Sequence, residues 1–311
     1  MNVPEPPTAG TQHELLLTSG SGYVRAVISE VGASPRVLTV DGVDLVEPYP
    51  ADRPPPMAAG AVLVPWPNRV DSGRWSLNGV DQQLEITEPD LGHAIHGLLS
   101  TARYDVTSRG ARHVTLAADI DPCPGYPFRL STRVSYELAP DGMWIRHEIR
   151  NDGAESAPVA VGSHPYLRVG DAAVQDLTVT IPAARALTLD ERHIPTGSVD
   201  VEGTALDLRA GRRVGDAVAH ASYADVEVVD GVVTHSLRAP DGRSVDLVAD
   251  PDFAYVHFYV TDDYPGEHGR TSAVAIEPMT APPNALRSGE GLRWLEPAQT
   301  WSLGWRLRLR P

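Results

Sequence analysis

Cysteine is nearly missing from this chain: Cys123 is the only one among 311 residues. An intrachain disulfide and a cysteine-rich zinc site are therefore excluded. As a lone thiol, Cys123 reads as a small packing residue rather than a nucleophile. Long apolar runs are lacking too, so no stretch of sequence suits a membrane-spanning helix. Met1 to Gln12 has neither the basic start nor the apolar core of a secretory signal, and a cytoplasmic protein is expected. Positive charge is scarce. Lys and Arg total 26 against 41 Asp and Glu, a formal net charge of -15, which argues against nucleic acid or an anionic membrane as a partner. There is no Walker loop, no glycine fingerprint of a dinucleotide fold and no nucleophile elbow. Nothing in the pattern calls for a nucleotide, flavin or metal, so no cofactor is expected.

What the chain does have is turn-formers and short apolar runs. Its 27 glycines and 28 prolines punctuate many strand-like segments. Asp41-Gly42, Asn78-Gly79, Asp141-Gly142 and Asp241-Gly242 each stand between two such runs, which predicts four hairpins. Further strands are predicted over His113 to Ala118, Leu177 to Ile181, Tyr255 to Val260 and Trp301 to Leu309, among others. Helical periodicity is weak, and only Ala210 to Ala221 reads as a short helix. Many short strands at even spacing predict an all-β sandwich or barrel. Residues 1–12 are expected to be flexible and 13–311 to form a single β domain.

Four segments carry polar residues in otherwise packed-looking sequence. Ser272 to Ile276 reads as a strand delivering Glu277 at its end. Pro278, Pro282 and Pro283 then predict a stop to the strand and no helix. Glu277 precedes a proline and is biased to extended backbone, a mount for a general base; a glutamate that caps or pairs at a strand end is the competing reading. His164, between Ser163 and Pro165, has the same mount and titrates near neutrality, which suits a general acid or base. A turn histidine without chemistry is its alternative. In Pro65-Trp66-Pro67-Asn68-Arg69 the prolines fix a loop that presents Asn68 and Arg69. The guanidinium fork suits a polyhydroxyl or carboxylate ligand, or else pairs with Asp71 on the surface. Gly92-His93-Ala94-Ile95-His96-Gly97 brings two histidines. Without a glutamate motif they favour hydrogen bonding over metal ligation.

Taken in order, Asn68-Arg69, His96-Gly97, Ser163-His164-Pro165-Tyr166 and Glu277 before a proline-rich loop resemble the aldose 1-epimerase (galactose mutarotase) family. The likeness extends over roughly residues 15 to 309. It implies a β-supersandwich of large antiparallel sheets with a cleft on one face, and interconversion of the α and β anomers of a free hexose. By that resemblance Glu277 is the base at O1 and His164 the acid at the ring oxygen. His96 sits near that oxygen, and Asn68 and Arg69 hold hydroxyls. Trp66, Tyr166 and Tyr259 cover an apolar sugar face or pack in the core. One position departs from the family. Where an aspartate is usual, alignment on Tyr223 places His220, with Asp225 the nearest acid. The partner implied is a small-molecule sugar, the protein being a monomer or homodimer. The alternatives are an epimerase of a less common sugar or hexose 6-phosphate, and a carbohydrate-binding protein without catalysis.

Overall fold

Turns fall where the dipeptides ask for them. Asp41 and Gly42 (φ 49° and 82°), and Asn78 and Gly79 (φ 51° and 80°), both take the left-handed conformations of two-residue hairpin turns. The first pair joins Pro35–Val40 to Val43–Asp44, the second Arg74–Leu77 to Val80–Gln83. Asp141-Gly142 joins Leu130–Ala139 to Gly142–Asn151, and Asp241-Gly242 lies between Val233–Arg238 and Ser244–Ala249. All four predicted hairpins form.

The computed structural model describes residues 9–20 and 22–311. The flexibility expected of residues 1–12 therefore lies mostly outside the described residues, while Gln12 already opens the strand Gln12–Ser19. Three sheets dominate. A nine-stranded antiparallel sheet is centred on Leu130–Ala139, Gly142–Asn151 and Thr300–Arg310. A second, eight-stranded sheet is centred on His220–Val226, Tyr255–Gly266 and Gly269–Met279. A four-stranded sheet of residues 12–44 packs on the first. The chain is thus all-β, as predicted. No helix among the described residues is long and apolar enough to cross a membrane.

Side-chain alternation builds the core. In Leu130–Ala139, Val134, Tyr136 and Leu138 are buried while Arg133 is exposed, so one face is dry and the other wet. The second sheet is covered on both faces near its centre. Val256, Phe258, Val274 and Ile276 join the main core. Ala273 and Ala275 face the other way, against Tyr49, Tyr166 and Tyr264. Glu277 follows Ala273 and Ala275 at period two and shares their face.

Two predicted elements differ. Ala210 to Ala221 is not a helix: it holds a two-residue strand, Arg212–Arg213, a single 3₁₀ turn, Val214–Asp216, and the start of His220–Val226. Gly211 (φ 86°) and Gly215 interrupt the segment, and sheet pairing on either side outweighs its weak helical period. The strand carrying Glu277 does not stop at the proline but runs Gly269–Met279 through Pro278. Its second edge is unpaired between Ala275, opposite Tyr166, and Met279, opposite Gly162, so a missing N–H is tolerated there. A four-residue helix, Ala285–Ser288, starts once Pro282 and Pro283 are passed.

Two histidines lie deep in the core. His147 Nε2 accepts from Trp305 Nε1 at 3.2 Å, and neither ring nitrogen of His235 has a partner among the described residues. Burial lowers their pKa values to about 4 and about 3, from 6.5. Unfolded chains take up these protons below about pH 6.5, whereas the folded state refuses them until near pH 4. Each pH unit in that window then costs about 1.4 kcal/mol per histidine. Urea denaturation at pH 7.0, 5.5 and 4.5 should show falling stability, flattened in His235→Leu. A His235→Leu variant with the wild-type pH slope would contradict this.

Candidate active site

Register across the second sheet lines up its polar side chains. Ser222 pairs with His257, and His257 with Glu277, a rung that spans three strands. The next rung is His220, Tyr259, Ala275 and Tyr166. The side chains of these rungs share one face, and that face floors a cleft of about 570 Å³. Its walls come from loops carrying Asn68, Arg69, Glu88, His96, His164 and His193.

Glu277 and His164 meet in this cleft. Glu277 Oε1 lies 3.3 Å from His164 Nε2, and the residues are 1% and 6% exposed. Burial raises the Glu277 carboxyl to about 8, only partly opposed by the positive charge of Arg69. Burial likewise lowers His164 to about 4, with Arg69 adding to the effect. His164 is held by its backbone: its N–H donates to the Ala61 carbonyl (3.2 Å) and its carbonyl accepts from Gly60 N–H (2.8 Å). Its ring stacks on Tyr166 (5.0 Å, 29°) and meets His96 edge-on (5.3 Å). Glu277 Oε2, His164 Nδ1, His96 Nδ1 and Tyr166 Oη have no hydrogen-bond partner among the described residues.

Arg69 is fixed rather than free. Its Nε and Nη2 donate to Glu88 Oε2 and Oε1 at 2.8 and 2.7 Å, a bidentate fork. Asp71, the partner in the competing reading of Arg69, is taken instead by Arg192 and Arg287. Asn68 (φ 55°) bends the loop, its Oδ1 accepting from Arg69 N–H and its carbonyl from His96 N–H. His96 is itself left-handed (φ 63°), a conformation that costs of order 1 kcal/mol or more and is held by its surroundings. Gly97 makes the close approach behind it possible. A Cβ there would lie 2.2 Å from the Val64 carbonyl oxygen, at φ 73°.

Not every predicted site residue reaches the cleft. Trp66 is buried beside Tyr126 (centroids 6.2 Å apart) and does not line it, because the two flanking prolines turn its ring inward. Asp225 is exposed beyond the last rung, in left-handed backbone (φ 52°), and is also absent from the cleft. His220 is the residue that faces it, its pKa lowered to about 4 by burial and by His193. His93 points elsewhere: its Nδ1 accepts from Ser72 N–H and its Nε2 donates to the Arg192 carbonyl. Among the described residues no group of three or more His, Cys, Asp or Glu is placed to hold a metal.

Three polar lining residues escaped the sequence reading. His257 was reachable from the two-residue period shared with Tyr255 and Tyr259. Glu88 precedes Pro89, the same mount as Glu277 and His164. His193 gave no such signal, since a distant hairpin brings it in.

Gly97→Ala should displace the backbone at Val64 and His96 together. The expected result is a Tm drop of several degrees by calorimetry and altered near-UV circular dichroism. A variant with wild-type Tm would contradict the close-approach argument.

The aldose 1-epimerase family profile matches residues 14–308. The chain is 34% identical over 278 residues to the uncharacterized protein YihR of Escherichia coli strain K12, covering 89% of this chain and 87% of that protein. It is 35% identical over 159 residues to human galactose mutarotase, 48% of this chain but only 45% of that protein's length. Its fold matches a putative aldose 1-epimerase from Escherichia coli K12 (TM-score 0.79, 19% identity, 96% of this chain and 99% of the other). It also matches an aldose epimerase homologue from C. elegans (TM-score 0.83, 16% identity, 96% and 99%). With a full-length profile match and a relative aligned over most of both chains, this protein belongs to the aldose 1-epimerase family.

Proposed function

We propose that the protein is a mutarotase that opens and recloses the ring of a free aldohexose, with Glu277 and His164 as its acid–base pair. The observation that carries this reading is their 3.3 Å separation in a buried, polar cleft. Ring opening takes a proton from O1 and gives one to the ring oxygen. Both oxygens are bonded to C1, so the base and the acid must stand side by side. Glycoside hydrolysis instead asks for two carboxyl groups, roughly 5–9.5 Å apart. Here the other carboxylate lining the cleft, Glu88, is consumed by Arg69.

The pair also holds the right number of protons. Between about pH 4 and about pH 8 it carries one, enough for one acid and one base. In the empty cleft burial keeps that proton on Glu277. Hydrogen bonds from sugar hydroxyls favour the carboxylate and move the proton to His164. Glu277 then accepts the O1 proton as His164 protonates the ring oxygen. Rotation about C1–C2 exposes the other carbonyl face, and the two transfers reverse. The open-chain aldehyde meets no lysine, because the sequence has none, so no side-chain amine is at hand to trap it as a Schiff base. His96 stands beside His164 to orient the ring oxygen, and Asn68, Arg69 and Tyr166 frame the sugar. Arg69, already neutralised by Glu88, disfavours a phosphorylated substrate.

Anomer exchange measured by NMR with glucose and galactose should exceed the spontaneous rate, and Glu277→Gln should lose about 10²-fold or more. Folded wild-type protein that leaves the spontaneous rate unchanged across an aldose panel would overturn the proposal.

The pH dependence follows from the same pair. Below about pH 4 the base is lost and above about pH 8 the acid is lost, so kcat/KM should be bell-shaped with its plateau between. The stability effect of Glu277 runs the other way from that of the histidines. Its folded pKa is raised from 4.5, so its contribution is present at low pH and is lost as pH rises through about 8. Glu277→Gln should therefore unfold at a higher temperature than wild type near pH 9. An equal or lower Tm there would contradict the burial argument.

A further inference from the structure

The turn Asp190–Ile194 caps a hairpin at the edge of the second sheet. It joins Ala183–Leu189 to Pro195–Asp200, and the outer strand is largely exposed. An edge hairpin of this kind has little to hold its tip in place. Here the tip is tied down from two sides. Asp190 Oδ1 accepts from the N–H groups of Arg192 and Ile194 at 2.9 and 2.8 Å, which shapes the turn. Arg192 then reaches across to another loop. Its Nε and Nη2 donate to the Leu91 carbonyl (3.2 and 3.0 Å), its Nη1 to Asp71 Oδ1 (3.0 Å), and its own carbonyl accepts from His93 Nε2 (3.0 Å). His93 is fully buried.

The clamp has a visible consequence. It holds His193 in left-handed backbone (φ 63°) with its ring in the cleft, 4.2 Å from the ring of His220 and edge-on to it. Among the described residues neither ring makes a hydrogen bond within the chain, so both keep a donor and an acceptor free for hydroxyls. His220 lies two strands and one rung from Glu277, about 12 Å between Cα atoms at ordinary strand spacings. That places both rings at the far end of the cleft from the acid–base pair. The same loop serves both ends, because Glu88 at its start holds Arg69 while Leu91 and His93 hold the hairpin tip.

We infer that His193, presented by the Arg192-clamped hairpin, is a specificity-determining residue that with His220 reads the hydroxyls of the aldose remote from C1. The inference rests on the mutarotase reading and deepens it. Arg192 is a positioning residue that acts through His193 and does not touch the sugar. Substituents at C4 and C6 are then discriminated by the two imidazoles, while C2, next to the reacting carbon, is not.

Wild-type anomer exchange is measured first, by NMR, and its presence tests the mutarotase reading alone. KM and kcat are then compared for galactose, glucose, fucose (no 6-hydroxyl), xylose (no C6) and 2-deoxyglucose, in wild type, His193→Ala, Arg192→Ala, Arg192→Lys and the His193→Ala/Arg192→Ala double variant. His193→Ala should raise KM for galactose and glucose roughly three- to tenfold, the loss expected from one hydrogen bond, with kcat changed less. If the 6-hydroxyl is read, the rise should shrink for both fucose and xylose, which lack it. If the 4-hydroxyl is read, the rise should differ between galactose and glucose, which are epimers at C4. In either case it should persist for 2-deoxyglucose. Arg192→Ala should reproduce the KM rise, Arg192→Lys should restore part of it, and the double variant should be no worse than His193→Ala. Unchanged KM in His193→Ala, equal KM rises for all five sugars, or additive effects in the double variant would overturn the inference. So would an Arg192→Ala variant that loses only thermal stability.

Discussion

A carboxyl group and an imidazole buried against each other are the constraint around which the rest of this molecule is arranged. Neither group is stable as an isolated charge in the interior, and burial pushes their pKa values in opposite directions, Glu277 up and His164 down. One proton between them is the outcome. The sheet makes this arrangement repeatable, because antiparallel register fixes Glu277 opposite His257 and Ser222 across three strands. Apolar residues at the alternate positions, Val274 and Ile276, anchor the same strand in the core. A one-residue slip would exchange the two faces, putting Ile276 or Pro278 where the carboxyl now stands and turning Glu277 into the apolar core.

Three further cleft residues are placed by backbone under strain rather than by sheet register. Asn68, His96 and His193 are all non-glycine residues in left-handed conformation. Each such residue costs of order 1–3 kcal/mol and needs neighbours that over-determine it. Those neighbours are on view: Asn284 N–H on the Arg69 carbonyl, Gly97 against Val64, and Arg192 on Leu91. The pattern is a stiff sheet that supplies the proposed acid–base chemistry, with clamped loops around it that shape what can enter.

Much of this was legible in the sequence, because it depends on local rules. Asp-Gly and Asn-Gly pairs marked the hairpins, period-two alternation marked the strands, and residues before prolines marked Glu277 and His164. The misreadings arose where a non-local partner decided the outcome. Pro278 sits inside a strand because the neighbouring edge is open there, which no local pattern reveals. Residues 210–221 had a faint helical period that sheet pairing overrode. Trp66 turns inward although its loop lines the cleft, and His193 arrives from a hairpin a hundred residues beyond the loop that clamps it. His220 against Asp225 was undecidable from spacing, since a left-handed residue at Asp225 breaks the alternation.

The central claim is that Glu277 and His164 share a single proton through the neutral range because both are buried. The most direct measurement is a ¹³C NMR titration of the Glu277 carboxyl in the sugar-free protein, assigned through Glu277→Gln. The account predicts a carboxyl still protonated at pH 6 that ionises near pH 8. A carboxylate already ionised at pH 6, beside a His164 that is neutral at the same pH, would leave the pair without an acid and contradict it.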